Sequence, residues 1–128
     1  MGTRSLTIVQ DESGNEEIAV LYRQMDGYIE GHGLDLAKFL VGFEVVNGLG
    51  MRDNRKIANG MGCLFAQIIA HFKTEPGGFY LYPAGTRDCS EEYIYFVSLD
   101  EDKSLMIQCF DVYDEKTIFI GSPQELID

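Results

Sequence analysis

The stretch NGMGCLFAQIIAHFK, residues 59–73, decides how the rest of this chain must be arranged. From Met61 to Phe72 it offers Met61, Cys63, Leu64, Phe65, Ala66, Ile68, Ile69, Ala70 and Phe72. Its polar members, Gln67 and His71, sit four apart and fall on one narrow stripe of a 3.6-residue helix. A helix apolar on nearly every side is expected to be buried, because water would meet most of its surface. It is too short to cross a bilayer, which takes about 20 apolar residues, so its cover must come from the protein itself.

The flanking segments supply that cover. Residues 5–10 alternate, Asp11-Glu12-Ser13-Gly14-Asn15 has the composition of a turn, and residues 18–24 form a second strand. Together they predict an antiparallel hairpin. A loop with three glycines, Asp26 to Gly33, leads into a helix over 34–41, with Leu36, Ala37, Leu40 and Val41 inward and Gly42 as its stop. Residues 43–46 are a short extended piece, and Arg52, Asp53, Asn54, Arg55 and Lys56 make a small basic cluster before the central helix. Beyond it, Thr74-Glu75-Pro76-Gly77-Gly78 is a break, followed by strands at 79–82, 93–99, 105–112 and 117–120. The polar tail 124–128 is one helical turn. The order β-β-α-α-β-β-β-β predicts an α+β fold, an antiparallel sheet with two helices packed on one face. No repeat or linker divides it, so residues 1–128 are a single domain. Strands 18–24 and 93–99 are apolar on both faces, which predicts a homodimer to cover the second face.

At 128 residues the chain is long enough to bury a core, and 45% apolar content with mean hydropathy −0.08 marks it as globular. The net charge is −11, unevenly placed: six basic and nine acidic side chains in residues 1–58, four and twelve in 59–128. Direct nucleic-acid binding is therefore not expected, since it needs clustered Lys and Arg. An acidic surface suits solubility or a basic partner. Cys63, Cys89 and Cys109 form no C-x-x-C pair, which favours a reducing compartment. No signal peptide or membrane-spanning run is present, and Leu6 stands where a myristoylation motif wants Ser or Thr. A cytoplasmic location, away from the membrane, is expected.

Candidate binding residues gather at the glycines. Glycine-dense backbone permits close approach to a ligand, and a helix N-terminus attracts anions. Around the first loop stand Arg23, Asp26, Tyr28 and His32, suited to hold a phosphate, stack on a ring and donate a hydrogen bond. The competing reading is a strand-to-helix turn capped by Asp26 or His32. Asn59-Gly60-Met61-Gly62 repeats the theme at the central helix, serving either phosphate approach or tight packing. It is not a P-loop, because no Gly-Lys-Ser/Thr follows. Thr86 and Arg87 lie in a polar loop of the acidic half. Arg87 either pairs with Asp88, Glu91 or Glu92, or reaches a ligand, and Arg4 presents the same choice. The candidate ligand-binding set is Arg4, Arg23, Asp26, Tyr28, His32, Asn59, Thr86 and Arg87. No catalytic residue, metal ligand or cofactor is assigned, since His32, His71 and the cysteines lack zinc-site spacing.

Gly2-Thr3-Arg4-Ser5, Tyr22-Arg23-Gln24-Met25-Asp26-Gly27-Tyr28-Ile29-Glu30-Gly31-His32-Gly33, Asn59-Gly60-Met61-Gly62-Cys63, and Tyr80, Tyr82, Pro83 and Gly85 carry a resemblance. They are similar to a family of small phage and prophage proteins with the patterns G-T-R-S, Y-R-x-x-D-G-Y-x-x-G-H-G, A-N-G-M-G-C and Y-x-Y-P-x-G. The match runs to about Tyr95, and Ile29 departs from it where proline is expected. The resemblance implies a viral or prophage origin, hence a host-cell setting.

Three functions follow as expectations. The first is a non-catalytic binder of a small phosphorylated ligand, a nucleotide or cyclic-nucleotide immune signal, that counters host defence. The second is an acidic inhibitor of a host protein, imitating DNA. The third is a small hydrolase using His32 and Asp26.

Overall fold

The computed structural model describes residues 2–48 and 56–128. The hairpin is β1 (Ser5–Gln10) and β2 (Glu17–Arg23), followed by a π-helical turn (Ile29–Gly33) that runs into α1 (Leu34–Leu40). Two short strands, β3 (Glu44–Val46) and β4 (Ile57–Asn59), precede α2 (Gly60–Phe72). Then come β5 (Phe79–Tyr82), β6 (Tyr93–Leu99), β7 (Leu105–Asp111), β8 (Lys116–Gly121) and α3 (Pro123–Ile127). The six long strands form one mostly antiparallel sheet in the order β5-β2-β1-β6-β7-β8.

The α+β class stands, while three details of the expected order are corrected. β1 and β6 run parallel, Ser5 opposite Tyr93 through Val9 opposite Val97. β6 is brought beside β1 by residues 83–92, and the Glu92 amide donates to the Arg4 carbonyl at 2.8 Å. β3 and β4 form a separate parallel pair. The tail is a third helix, α3, closed by a capping box between Ser122 and Glu125 and packed through Leu126 and Ile127 on the same core. The cluster Arg52, Asp53, Asn54 and Arg55 lies outside the described residues. No helix among the described residues is long and apolar enough to cross a membrane.

The main core lies between the sheet and the helices. Val9, Leu21, Tyr95, Val97 and Ile107 meet Leu36, Leu40, Met61, Leu64 and Ile68 there. On α2 the buried positions are Met61, Leu64, Phe65 and Ile68, while Gly62, Ala66, Ala70 and His71 face out. The expected burial on nearly every side is thus corrected. Each large buried side chain contributes about 1.5–3 kcal/mol, and an exposed glycine or alanine forfeits little of that. One face therefore holds α2 in place.

The second sheet face carries Leu6, Ile8, Val20, Tyr22 and Ile94, all buried. The chain provides cover itself, because Cys89 of the connection 83–92 packs into this cluster. On β8, Ile120 remains 63% exposed. The apolar second face that motivated a homodimer thus finds much of its cover within one chain.

Candidate functional site

The glycine loop places a histidine inside the core. Gly27 N donates to Thr3 O at 2.9 Å, Tyr95 Oη donates to Gly27 O at 2.7 Å, and His32 N donates to Asp26 O at 2.8 Å. A Cβ on Gly31 would stand 2.5 Å from that Asp26 carbonyl, so the tight closure needs glycine. His32 is fully buried, its ring 5.2 Å from Phe72 and 5.0 Å from Tyr95. Its Nδ1 lies 3.0 Å from Arg23 Nη1 and its Nε2 lies 2.6 Å from Thr7 Oγ1. A guanidinium can only donate, so Nδ1 is the acceptor and Nε2 carries the hydrogen given to Thr7. Burial, aided by the Arg23 charge, drives the imidazole pKa down to about 3 and keeps the ring neutral.

Arg23 is held from three directions. Nη1 donates to His32 Nδ1 and, at 3.2 Å, to Asp35 Oδ2. The guanidinium carbon lies 5.2 Å from the centre of the Phe79 ring, which β2–β5 pairing places opposite Arg23. Both Nη1 hydrogens thus have protein acceptors. The edge formed by Nε–H and Nη2–H has none among the described residues. Two parallel N–H donors in that fork match a carboxylate or a phosphate.

Arg23 lines a groove of about 520 Å³ between α1, the end of α2 and the start of β5. Three cations, Arg23, Lys38 and Lys56, line it with one carboxylate, Asp35. Lys56 Nζ donates to Val41 O at 2.6 Å, at the carbonyl-rich end of α1. The walls are aromatic: Phe72 and Phe79 sit near Arg23, and Phe39 and His71 are stacked at 4.2 Å with an 18° tilt. A groove lined by cationic side chains and rings, in a protein of net charge −11, is suited to an anionic ligand with a flat ring.

Comparison with protein families, curated proteins and solved structures finds no match to this chain.

Of the sequence-derived candidates, the structure brings Arg23 and His32 together and disperses most of the others. Arg87 makes a two-point pair with Glu17 at 2.8 and 3.1 Å, and Gly85 N donates to the same carboxylate at 2.6 Å. Its partner is therefore a residue of β2 rather than Asp88, Glu91 or Glu92. Arg87 holds the Glu17 carboxyl below its ordinary pKa. Glu17 and Arg23 begin and end β2, about 20 Å apart at strand rise, which separates Arg87 from the groove. Thr86 Oγ1 donates to Pro83 O in the same distant turn. Tyr28 is 39% exposed, with Oη 3.5 Å from Asp26 Oδ1. The Asp26 side chain does not reach His32, so the dyad of the hydrolase expectation does not form. Arg4 offers its backbone carbonyl to Glu92 and Tyr93 at the start of β6.

The second glycine stretch serves packing. Asn59 Oδ1 accepts from Gly48 N at 2.8 Å and leaves the start of α2 uncapped by its own side chain. The Glu12 carboxylate takes that place, accepting from Met61 N at 2.7 Å. Gly60 has φ +85°, and a Cβ there would lie 2.6 Å from Glu12 Oε2. The anion that this helix start attracts is thus internal. A second cavity, about 480 Å³, opens beside it and includes Glu12, Asn59 and Lys103. The two glycine stretches lie at opposite ends of the 13-residue α2, about 20 Å apart, so they do not build one site. Among the described residues no group of His, Cys, Asp and Glu is placed to hold a metal ion.

Lys38, Phe39, Lys56, His71, Phe72 and Phe79 were missed as site residues. The one local signal was Asp35 and Lys38, three apart and so on one face of α1. The others meet through tertiary packing alone.

Proposed function

We propose that this protein binds a small phosphorylated ligand bearing an aromatic ring, of the nucleotide class, in the groove beside Arg23. It holds the ligand without changing it. The observation that carries this is Arg23 at the wall of the groove, fixed by His32, Asp35 and Phe79, with its Nε and Nη2 hydrogens met by no acceptor among the described residues. Lys38 and Lys56 add charge, and Phe39 with His71 offers a flat surface for a base. In the host-cell setting implied by the resemblance to phage proteins, the biological role is sequestration of a nucleotide or cyclic-nucleotide immune signal. His32, the base that a hydrolase would use, faces Thr7 and Arg23 inside the core. The acidic turn of the inhibitor reading has a local use, since Asp100 Oδ1 accepts from the amides of Asp102 and Ser104.

The test is thermal denaturation with a panel of linear and cyclic nucleotides. A ligand at 100 times its Kd adds about 2.7 kcal/mol to the folded state and raises Tm. Arg23→Ala is expected to abolish the shift, and the ligand is expected back intact after the protein is denatured. No shift with any nucleotide at millimolar concentration overturns the proposal, and recovery of a cleaved ligand overturns its non-catalytic part.

A further inference from the structure

We infer that two copies of this chain associate through the open edge of β8. The two strands pair antiparallel about a two-fold axis, so that two six-stranded sheets join edge to edge. The contact lies apart from the nucleotide groove and does not depend on it.

The two ends of the sheet differ in how they are closed. β5 is the last strand on one side, and its own chain occupies that edge. Lys73 Nζ donates to Phe79 O at 2.8 Å, Pro83 brings no N–H, and Thr86 N and Oγ1 both donate to Pro83 O. β8 is the last strand on the other side and has no such cover. Ile118 is skipped in the β7–β8 register, Cys109 facing Phe119 and Phe110 facing Thr117, so it is the extra residue of a bulge with no partner on β7. Among the described residues no side chain or loop hydrogen-bonds the backbone of Ile118 or Ile120.

The side chains of that edge suit a copy of themselves. Phe119 packs on the main core, while Ile118 and Ile120 are 38% and 63% exposed. Edge strands that must stay single carry charge or proline in mid-strand, and Thr117-Ile118-Phe119-Ile120 carries neither. The bulge confines regular pairing to a short stretch, and a two-fold relation uses that stretch twice. An axis at Phe119 sets Ile118 opposite Ile120 of the partner subunit and repeats the pair by symmetry. The same axis brings Lys116 to Ser122 of the partner subunit. A carboxylate stands at that end of the strand, because Glu125 Oε1 accepts from Ser122 N at 2.8 Å. Lys116 is the one Lys or Arg in residues 104–128, and it makes no ion pair among the described residues. Antiparallel pairing therefore gives each lysine a carboxylate, and an acidic chain meets its copy through its least acidic edge.

The groove stands clear of this contact. β8 lies four strand steps from β2, about 19 Å at ~4.8 Å per step. Arg23 ends β2 and Phe79 begins β5, so each copy keeps that wall of its own groove.

The experiment is sedimentation equilibrium of the full chain from micromolar to millimolar concentration. The mass is expected to rise reversibly from 14.4 kDa towards twice that value. Ile120→Lys is expected to raise the dimer dissociation constant tenfold or more. Lys116→Glu, at an exposed position, is expected to raise it severalfold, with part of the loss recovered when Glu125→Gln is added. Leu81→Lys, on the β5 edge, is expected to change nothing. Circular dichroism melting verifies that each variant is folded. A mass of 14.4 kDa throughout leaves the edge to a strand of another protein and overturns the second-copy contact. A dimer unmoved by both Ile120→Lys and Lys116→Glu, or one lost in Leu81→Lys, overturns its placement on β8. None of these results touches the groove, whose nucleotide binding is read by its own assay.

Discussion

Mild acid is expected to destabilise this protein through His32. The imidazole has an ordinary pKa of 6.5 in the unfolded chain and about 3 in the fold, where burial and Arg23 oppose its charging. Between those values the unfolded state binds the extra proton. The stabilisation is therefore complete above pH 6.5 and lost progressively as pH falls to about 3. The slope approaches 1.4 kcal/mol per pH unit from half that value at pH 6.5, so the drop from pH 6.5 to 5 costs about 1.6 kcal/mol. Glu17, held below its ordinary carboxyl range by Arg87, stays charged in that window. The assay is urea denaturation followed by circular dichroism at half-unit steps of pH. It compares the natural protein with His32→Gln, whose amide can still accept from Arg23 and donate to Thr7. The variant is expected to lose most of the slope. A flat profile in the natural protein, or an unchanged slope in His32→Gln, refutes the buried neutral imidazole.

Further substitutions probe the frame around the groove. Glu12→Ala removes the carboxylate at the start of α2 and is expected to cost about 1–2 kcal/mol, read as a lower urea midpoint. Gly60→Ala forces a side chain into positive φ and against Glu12, with an expected cost of about 1–3 kcal/mol by the same measurement. Arg87→Ala breaks a pair that is partly open to water, with an expected cost of at most about 1 kcal/mol. Ligand affinity is expected to be unchanged in Arg87→Ala, because Arg87 lies at the far end of β2.

Much of the frame was legible in the residues. The apolar run placed α2 over Gly60–Phe72, close to the expected 59–73, and alternation placed the hairpin and the late strands. The α3 signal was present too, since Ser122, Pro123 and Glu125 make a capping signature before Leu126 and Ile127. What local pattern does not encode is the partner of each strand. The parallel β1–β6 pair depends on a ten-residue crossing with no helix in it, and β3 and β4 are three-residue strands that exist only through each other. The site divides along the same line. Arg23 and His32 stood out because glycines surround them. The inward turn of His32 is set by Thr7, 25 residues away, and the groove walls come from α1, α2 and β5. Arg87, which offered a choice between a partner and a ligand, is joined to Glu17, and Glu12 of the hairpin turn is joined to the start of α2.

The most direct test of the groove is a proton–nitrogen NMR titration that follows the arginine Nε–H signals while 5′-monophosphate nucleotides are added. Arg23 Nε–H is expected to move with ligand, together with the backbone amides of Phe39 and His71, while Arg87 Nε–H stays in place. A bound nucleotide that leaves Arg23 unmoved, or that shifts Arg87 and Tyr28 instead, contradicts the placement of the ligand in the groove and of its phosphate on Arg23.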